Sequence, residues 1–148
     1  MKEARQPMDQ DSFFWQVQSG RLPAPKAAAT LGISIKQIDA ELGTIEVEFQ
    51  GKPEFTNPAG NVQGGFLAAM LDDTMGPAVA ATLAKGEFAP TLNLNVSFAR
   101  AAKVGVIQGR GRVIKRGKEV CFLAAELYQE GELVASATAT AVIRRLPA

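Results

Sequence analysis

Apolar residues recur along this chain with two different periods, and the changes of period mark its elements. From Asp9 to Ser19, Phe13, Phe14, Trp15 and Val17 have the spacing of a short helix with an aromatic face, ended by Gly20 and Pro23. The favoured reading is that these aromatics cap the fold, with pocket lining as the alternative. Ala27 to Leu31 predicts a further helical turn. The period then drops to two. Ile33, Ile35 and Ile38 begin the alternation imperfectly, and Ile45, Val47 and Phe49 alternate with Glu46, Glu48 and Gln50, across a hairpin turn at Glu41-Leu42-Gly43. Leu92, Leu94, Val96 and Phe98 alternate with Asn93, Asn95 and Ser97 in a third strand covered on one side. A fourth strand is expected from Val104 to about Ile114, a fifth from Val120 to Tyr128 and a last from Leu133 to Ile143, joined at Lys115-Arg116-Gly117-Lys118 and Gln129-Glu130-Gly131-Glu132. The last strand carries Ala135, Ala137, Ala139 and Ala141 on one face, small enough for a bulky element to lie close to the sheet.

That element is the one long apolar stretch, Phe66 to Ala84, stopped by Lys85-Gly86-Glu87. It is apolar nearly all the way round, which predicts burial on most sides. Pro77 lacks an N–H, so the bond to the Asp73 carbonyl is lost and a bend is expected there. The order of elements predicts an α+β chain, an antiparallel sheet wrapped around one long central helix, as a single domain over residues 1–148, with 1–30 an N-terminal helix and loop and 31–146 the core.

The candidate chemistry gathers where this helix begins. Asn57-Pro58-Ala59-Gly60-Asn61-Val62-Gln63-Gly64-Gly65 is a polar, glycine-rich turn running straight into the helix, and a helix start leaves N–H groups unsatisfied where the dipole favours negative charge. Between Phe66 and Ala84 the only charged residues are Asp72 and Asp73. Carboxylates in such a helix are costly without a use, and burial would make one a stronger base. Adjacent helical residues point about 100° apart, so only one of the pair addresses a given pocket, and at this point Asp72 and Asp73 both stand as candidates.

Composition removes other chemistries. The 148 residues are 47% apolar, with 16 basic against 15 acidic side chains, a globular balance that suggests no nucleic-acid partner. Two Asp and a Pro in the longest apolar run argue against a membrane span, and Met1-Lys2-Glu3-Ala4-Arg5-Gln6 lacks the pattern of an export signal, so the cytoplasm is expected. A lone Cys121 forms no disulfide framework, and with no His the chain has no ordinary zinc site, Ser-His-Asp triad or Cys–His pair. Proton transfer falls to Asp, Glu or Lys. Arg100, Lys103, Arg110, Arg112, Lys115, Arg116 and Lys118 lie in a segment from Phe88 to Lys118 without Asp or Glu. They suit phosphates as a group, and individually suit a solvated sheet edge equally well.

Asn57, the loop closing on Gln63-Gly64-Gly65, and an Asp eight residues after the first of those glycines resemble the hot-dog-fold acyl-CoA thioesterases, above all the phenylacetate-pathway and 4-hydroxybenzoyl-CoA groups. Asn93 to Ala102, the Gly117 hairpin and Gly131-Glu132-Leu133-Val134-Ala135 extend the resemblance over about Ile33 to Ile143. It implies hydrolysis of an acyl- or aryl-CoA to a free acid and CoA. Asp72 would be general base or nucleophile, Gly64 (with Gly65 beside it) would supply N–H groups to the thioester carbonyl, and Asn57 would position water or carbonyl. Gln63 stands where members commonly carry His; Gln donates a hydrogen bond but takes up no proton near neutrality. Arg100, Arg116 and Lys118 would hold the CoA phosphates. The resemblance further implies no cofactor beyond CoA as part of the substrate, no metal, and a homodimer or homotetramer with shared sites. Two readings without turnover stay open: an acyl-CoA-binding protein on the same fold, and a structural oligomer.

Overall fold

The computed structural model describes residues 8–147; the reading of Met1 to Gln6 falls outside them. Two short helices, α1 (Phe13–Gln18) and α2 (Lys26–Leu31), precede the hairpin of β1 (Ser34–Asp39) and β2 (Thr44–Gly51). A 3-10 turn, Pro53–Phe55, leads through the glycine-rich loop into α3 (Gly64–Ala80). Then come β3 (Glu87–Phe88), β4 (Thr91–Phe98), β5 (Gly105–Arg116), β6 (Val120–Gln129), β7 (Glu132–Val142) and β8 (Arg144–Arg145). Six strands form one antiparallel sheet in the order β1-β2-β5-β6-β7-β4, and β3 pairs with β8 separately. The expected sheet wrapped on a central helix is therefore present, with the long strands within two residues of their expected ends; the β3–β8 ribbon and the 3-10 turn carry no periodic signal and went unanticipated.

The sheet's inner face is set by the period of two. Ile45, Val47 and Phe49 of β2, Ile107 of β5, and Leu123 and Leu127 of β6 are buried against Leu67, Met70, Leu71 and Met75 of α3. Each such side chain contributes about 1.5–3 kcal/mol by leaving water. The alanines of β7 are buried in the same core, but the tightest approach of helix to sheet is over β5. A Cβ on Gly109 would lie 2.8 Å from Thr74 Oγ1, and one on Gly111 would lie 2.9 Å from Thr74 Cγ2. Thr74 is fully buried and satisfies its hydroxyl by donating to the Met70 carbonyl at 2.8 Å. These two glycines fix how deep α3 sits, and so where its neighbours Asp72 and Asp73 lie.

Of the residues of α3 only Gly65, Ala69 and Asp72 are exposed, so the expected burial on most sides is present with one narrow strip left open. Two expectations need correction. The inner face of β4 is open at both ends, with Leu92 61% and Phe98 55% exposed, since α3 lies over the middle of the sheet and β4 is its edge. The helix runs through Pro77 but ends at Ala80, four residues short of Ala84, one turn after the lost donor. Among the N-terminal aromatics, Trp15 Nε1 donates to the Ala81 carbonyl at 3.1 Å and its ring meets buried Phe14 edge-on, so α1 caps the far end of α3. No helix among the described residues is long and apolar enough to cross a membrane.

Candidate active site

The loop before α3 is built around Asn57. Its Oδ1 accepts from the N–H groups of Ala59 at 3.0 Å and Asn61 at 3.2 Å, while its own N–H donates to the Asn61 carbonyl at 2.8 Å. With the carbonyl oxygen thus occupied, the side-chain NH2 is the end left for a ligand. Val62 N–H donates to the Ala102 carbonyl at 2.8 Å and Gln63 N–H to the Phe55 carbonyl at 2.8 Å, so the loop is held from both sides.

Gln63 is the last extended residue, at φ −61° and ψ 142°, and its carbonyl accepts from Phe66 and Leu67. Its side chain is exposed and caps nothing. The next two N–H groups, of Gly64 and Gly65, have no acceptor among the described residues. Two free donors at the positive end of a helix are what a developing oxyanion needs. Gly64 borders a cleft of about 330 Å³ whose walls also include Asn57, Asn61, Leu67, Phe98 and Arg100, and Gly65 is exposed next to it in the chain.

Asp72 lies on the same helix, exposed, and accepts a hydrogen bond at Oδ1 from Thr91 Oγ1 at 3.3 Å. The burial expected to strengthen it as a base falls instead on Asp73. That carboxyl is half-buried with Oδ2 lacking any partner, and burial, followed by the charge of Asp72 beside it, pushes it up to about 6. Eight residues of helix separate Gly64 from Asp72, a rise of about 12 Å. A thioester carbonyl held at Gly64 is therefore out of reach of the same chain's Asp72.

The basic residues divide as well. Arg100 borders the cleft at the start of α3 and pairs with Glu132 at 3.3 Å, both largely exposed. Arg116 sits beyond the other end of the helix, its Nε donating to Thr82 Oγ1 at 3.1 Å and its Nη2 3.8 Å from Glu87. Lys118 is exposed on the adjoining β5–β6 turn. Within one chain, then, Asn57, Gly64 and Arg100 share a cleft that Gln63 and Gly65 do not line, Asp72 stands further along α3, and Arg116 and Lys118 are at the opposite end. Sequence reasoning missed Thr91 and Phe98. Thr91 had only the signal of a lone hydroxyl at the start of a strand, after Pro90. Phe98 looked like one more residue of a covered strand face.

Similarity to known proteins bears on what this arrangement does. The thioesterase superfamily matches the chain over residues 59–136. Acyl-coenzyme A thioesterase 13 of Homo sapiens is 28% identical over 104 residues, covering 68% of this chain and 74% of the relative. The solved structure of a phenylacetic acid degradation-related protein from Ralstonia eutropha JMP134 is 46% identical with a TM-score of 0.86, covering 88% of this chain and 98% of that one. A Streptococcus pneumoniae TIGR4 thioesterase structure with coenzyme A shares the fold at 21% identity and a TM-score of 0.74, covering 89% and 99% of the two chains.

Proposed function

This chain belongs to the thioesterase superfamily and is a hot-dog-fold thioester hydrolase, and from that premise we propose that its substrate is an acyl-coenzyme A, cleaved to the free acid and CoA at a site shared between two copies of the chain. The observation that carries the reading is the pair of unengaged N–H groups of Gly64 and Gly65 at a helix start, with Gly64 on the wall of a cleft. They would take up the charge that forms on the thioester oxygen, typically the largest single contribution to acyl transfer. Asn57 NH2 lies on the same cleft and suits the same oxygen or the attacking water.

Asp72 would act as general base toward water, or attack the carbonyl directly to form a mixed anhydride that water then opens. The thiolate is a good leaving group, so the absence of His costs the leaving step little. Gln63 would contribute a donor at most. Sharing follows from distance: about 12 Å along α3 separates donor from carboxylate, whereas Asp72 is exposed and available to the Gly64 end of another copy. The unpaired edge of β4, with Leu92 and Phe98 open beside it, supports such a partner. A homodimer or homotetramer, a cytoplasmic setting, and no cofactor beyond the CoA of the substrate belong to the same proposal. So does phosphate binding by Arg100, Arg116 and Lys118. Because Arg100 lies at one end of α3 and the other two at its far end, they would serve one CoA only across the shared site.

The test is release of free thiol from a panel of straight-chain and aryl acyl-CoAs by the parent and by Asp72→Asn. Turnover by the parent, lost in the variant with binding retained, is the expected result. Equal rates would remove Asp72 from the mechanism, and tight binding without turnover by the parent would leave an acyl-CoA-binding protein.

A further inference from the structure

Phe98 stands in the cleft in a position that core packing does not account for. A Cβ built on Gly64 would lie 3.1 and 3.2 Å from its Cζ and Cε1, so the tip of the ring rests against the residue whose N–H is the proposed oxyanion donor. The ring is 55% exposed, and its neighbour across the ladder on β7 is the small Ala135, which leaves it room to lie along the cleft.

The lining of the cleft is mixed: Phe98, Leu67 and Val62 are apolar, and Asn57, Asn61 and Arg100 are polar. A carbonyl whose oxygen accepts from Gly64 carries two substituents, the acyl α-carbon and the sulfur that leads into the amide-bearing arm of CoA. Leu67 and Val62 are buried, so Phe98 is the one large apolar side chain of this lining that is exposed to a ligand. It suits the apolar substituent, and the acyl α-carbon turned toward it leaves the amide-bearing arm to the polar residues. With the oxygen about 2.9 Å from the donor nitrogen, that carbon falls within ordinary contact of a ring already touching Gly64.

We propose that Phe98 is a specificity-determining residue that limits the bulk accepted at the acyl α-carbon, so that unbranched acyl groups are preferred to α-branched ones. The inference rests on the proposed function and adds a discrimination that the oxyanion donors and Asp72 do not supply. The limit belongs to one ring tip, so it changes with the size of residue 98 and leaves the chemical step alone.

The experiment takes the straight-chain acyl-CoA that the parent hydrolyses fastest and its 2-methyl-branched isomer, equal in carbon number. It compares kcat/KM for the two in the parent, Phe98→Ala and Phe98→Trp. The ratio of branched to straight is expected to rise about tenfold in Phe98→Ala, the scale of a methyl group in an apolar pocket, and to fall in Phe98→Trp. Phe98 is more than half exposed within one chain but lies beside the β4 edge proposed to meet a partner, so thermal melts and molecular mass in solution are compared with the parent; a variant that melts early or changes assembly is replaced by Phe98→Leu, for which the ratio should rise by less. An unchanged ratio in folded variants overturns the inference while leaving the proposed function standing. Failure of the parent to hydrolyse any ester overturns both.

Discussion

Replacing Gly64 by proline removes one hydrogen-bond donor and puts the ring's Cδ where that N–H pointed. Gly64 is the first residue of α3, the position where proline is favoured because its fixed φ suits a helix and its missing N–H has no intrahelical partner. Gln63 already has the extended backbone, φ −61° and ψ 142°, that a following proline demands. The new Cβ meets the Phe98 ring tip at 3.1 Å, which an exposed ring relieves by a small rotation, while Cδ faces the place of the substrate oxygen and adds to the loss of kcat. Restricting the unfolded chain contributes about 0.4–1 kcal/mol of stability against that contact, so the melting temperature should stay within about 3 °C of the parent. Loss of one oxyanion donor should lower kcat by about 10² to 10³, or about 2.7–4 kcal/mol. Gly64→Ala is the control, since it introduces the same Cβ and keeps the N–H. Thiol release from a good acyl-CoA substrate then separates the two effects. The alanine variant should lose far less than the proline variant. Equal kcat values for the two would show that the Gly64 N–H is not the donor and that only the space beside Phe98 matters.

Mixing addresses the shared site. If one copy supplies Gly64 and the other Asp72, co-refolding equal amounts of the inactive Gly64→Pro and Asp72→Asn chains should restore about a quarter of parental activity, because half the dimers are mixed and each has one intact site of two; a mixture as inactive as its parts would place both groups in one chain. Thr91→Ala, which removes the donor 3.3 Å from Asp72, should lower kcat about threefold to tenfold with an unchanged melt, and Thr91→Ser should recover most of it; equal loss in both would count against the hydroxyl. Asp73 predicts a pH dependence of stability. Its folded value of about 6 lies above the unfolded 3.8, so the stability it contributes is complete below about pH 4 and is lost as pH rises through 6. Discounted for its exposed part, the loss is about 1–2 kcal/mol, and Asp73→Asn should raise the melting temperature by about 2–6 °C at pH 8 and not at pH 4; a gain equal at both pH values would refute burial of the charge as the cause.

Local pattern was enough to determine the six long strands and the presence of the central helix. Alternation of Ile45, Val47 and Phe49 with acids, and of Leu92 to Phe98 with Asn and Ser, defines strands because side chains on extended backbone must point to opposite faces. The glycine-rich run ending at Gly64 and Gly65 marks a helix start with free donors because backbone geometry at a helix terminus depends on a few adjacent residues. Gly64 and Gly65 were legible as candidates for that reason, the Asp72-Asp73 pair as the one charged spot in an apolar helix, and Asn57 and the choice of Asp72 through the resemblance of the motif. What the pattern could not decide is which of two adjacent carboxylates is covered, since Asp72 and Asp73 differ only in how far the sheet wraps around α3. Nor could it decide the depth of that helix, which depends on Thr74 meeting Gly109 and Gly111 some 35 residues away. The same holds for Arg100 and Arg116, 16 positions apart in sequence and at opposite ends of α3 in space, and for Phe98, a covered strand residue by period and a cleft wall by position. Each of these is a contact between segments distant in sequence, and only the packing of helix on sheet brings such segments to a distance.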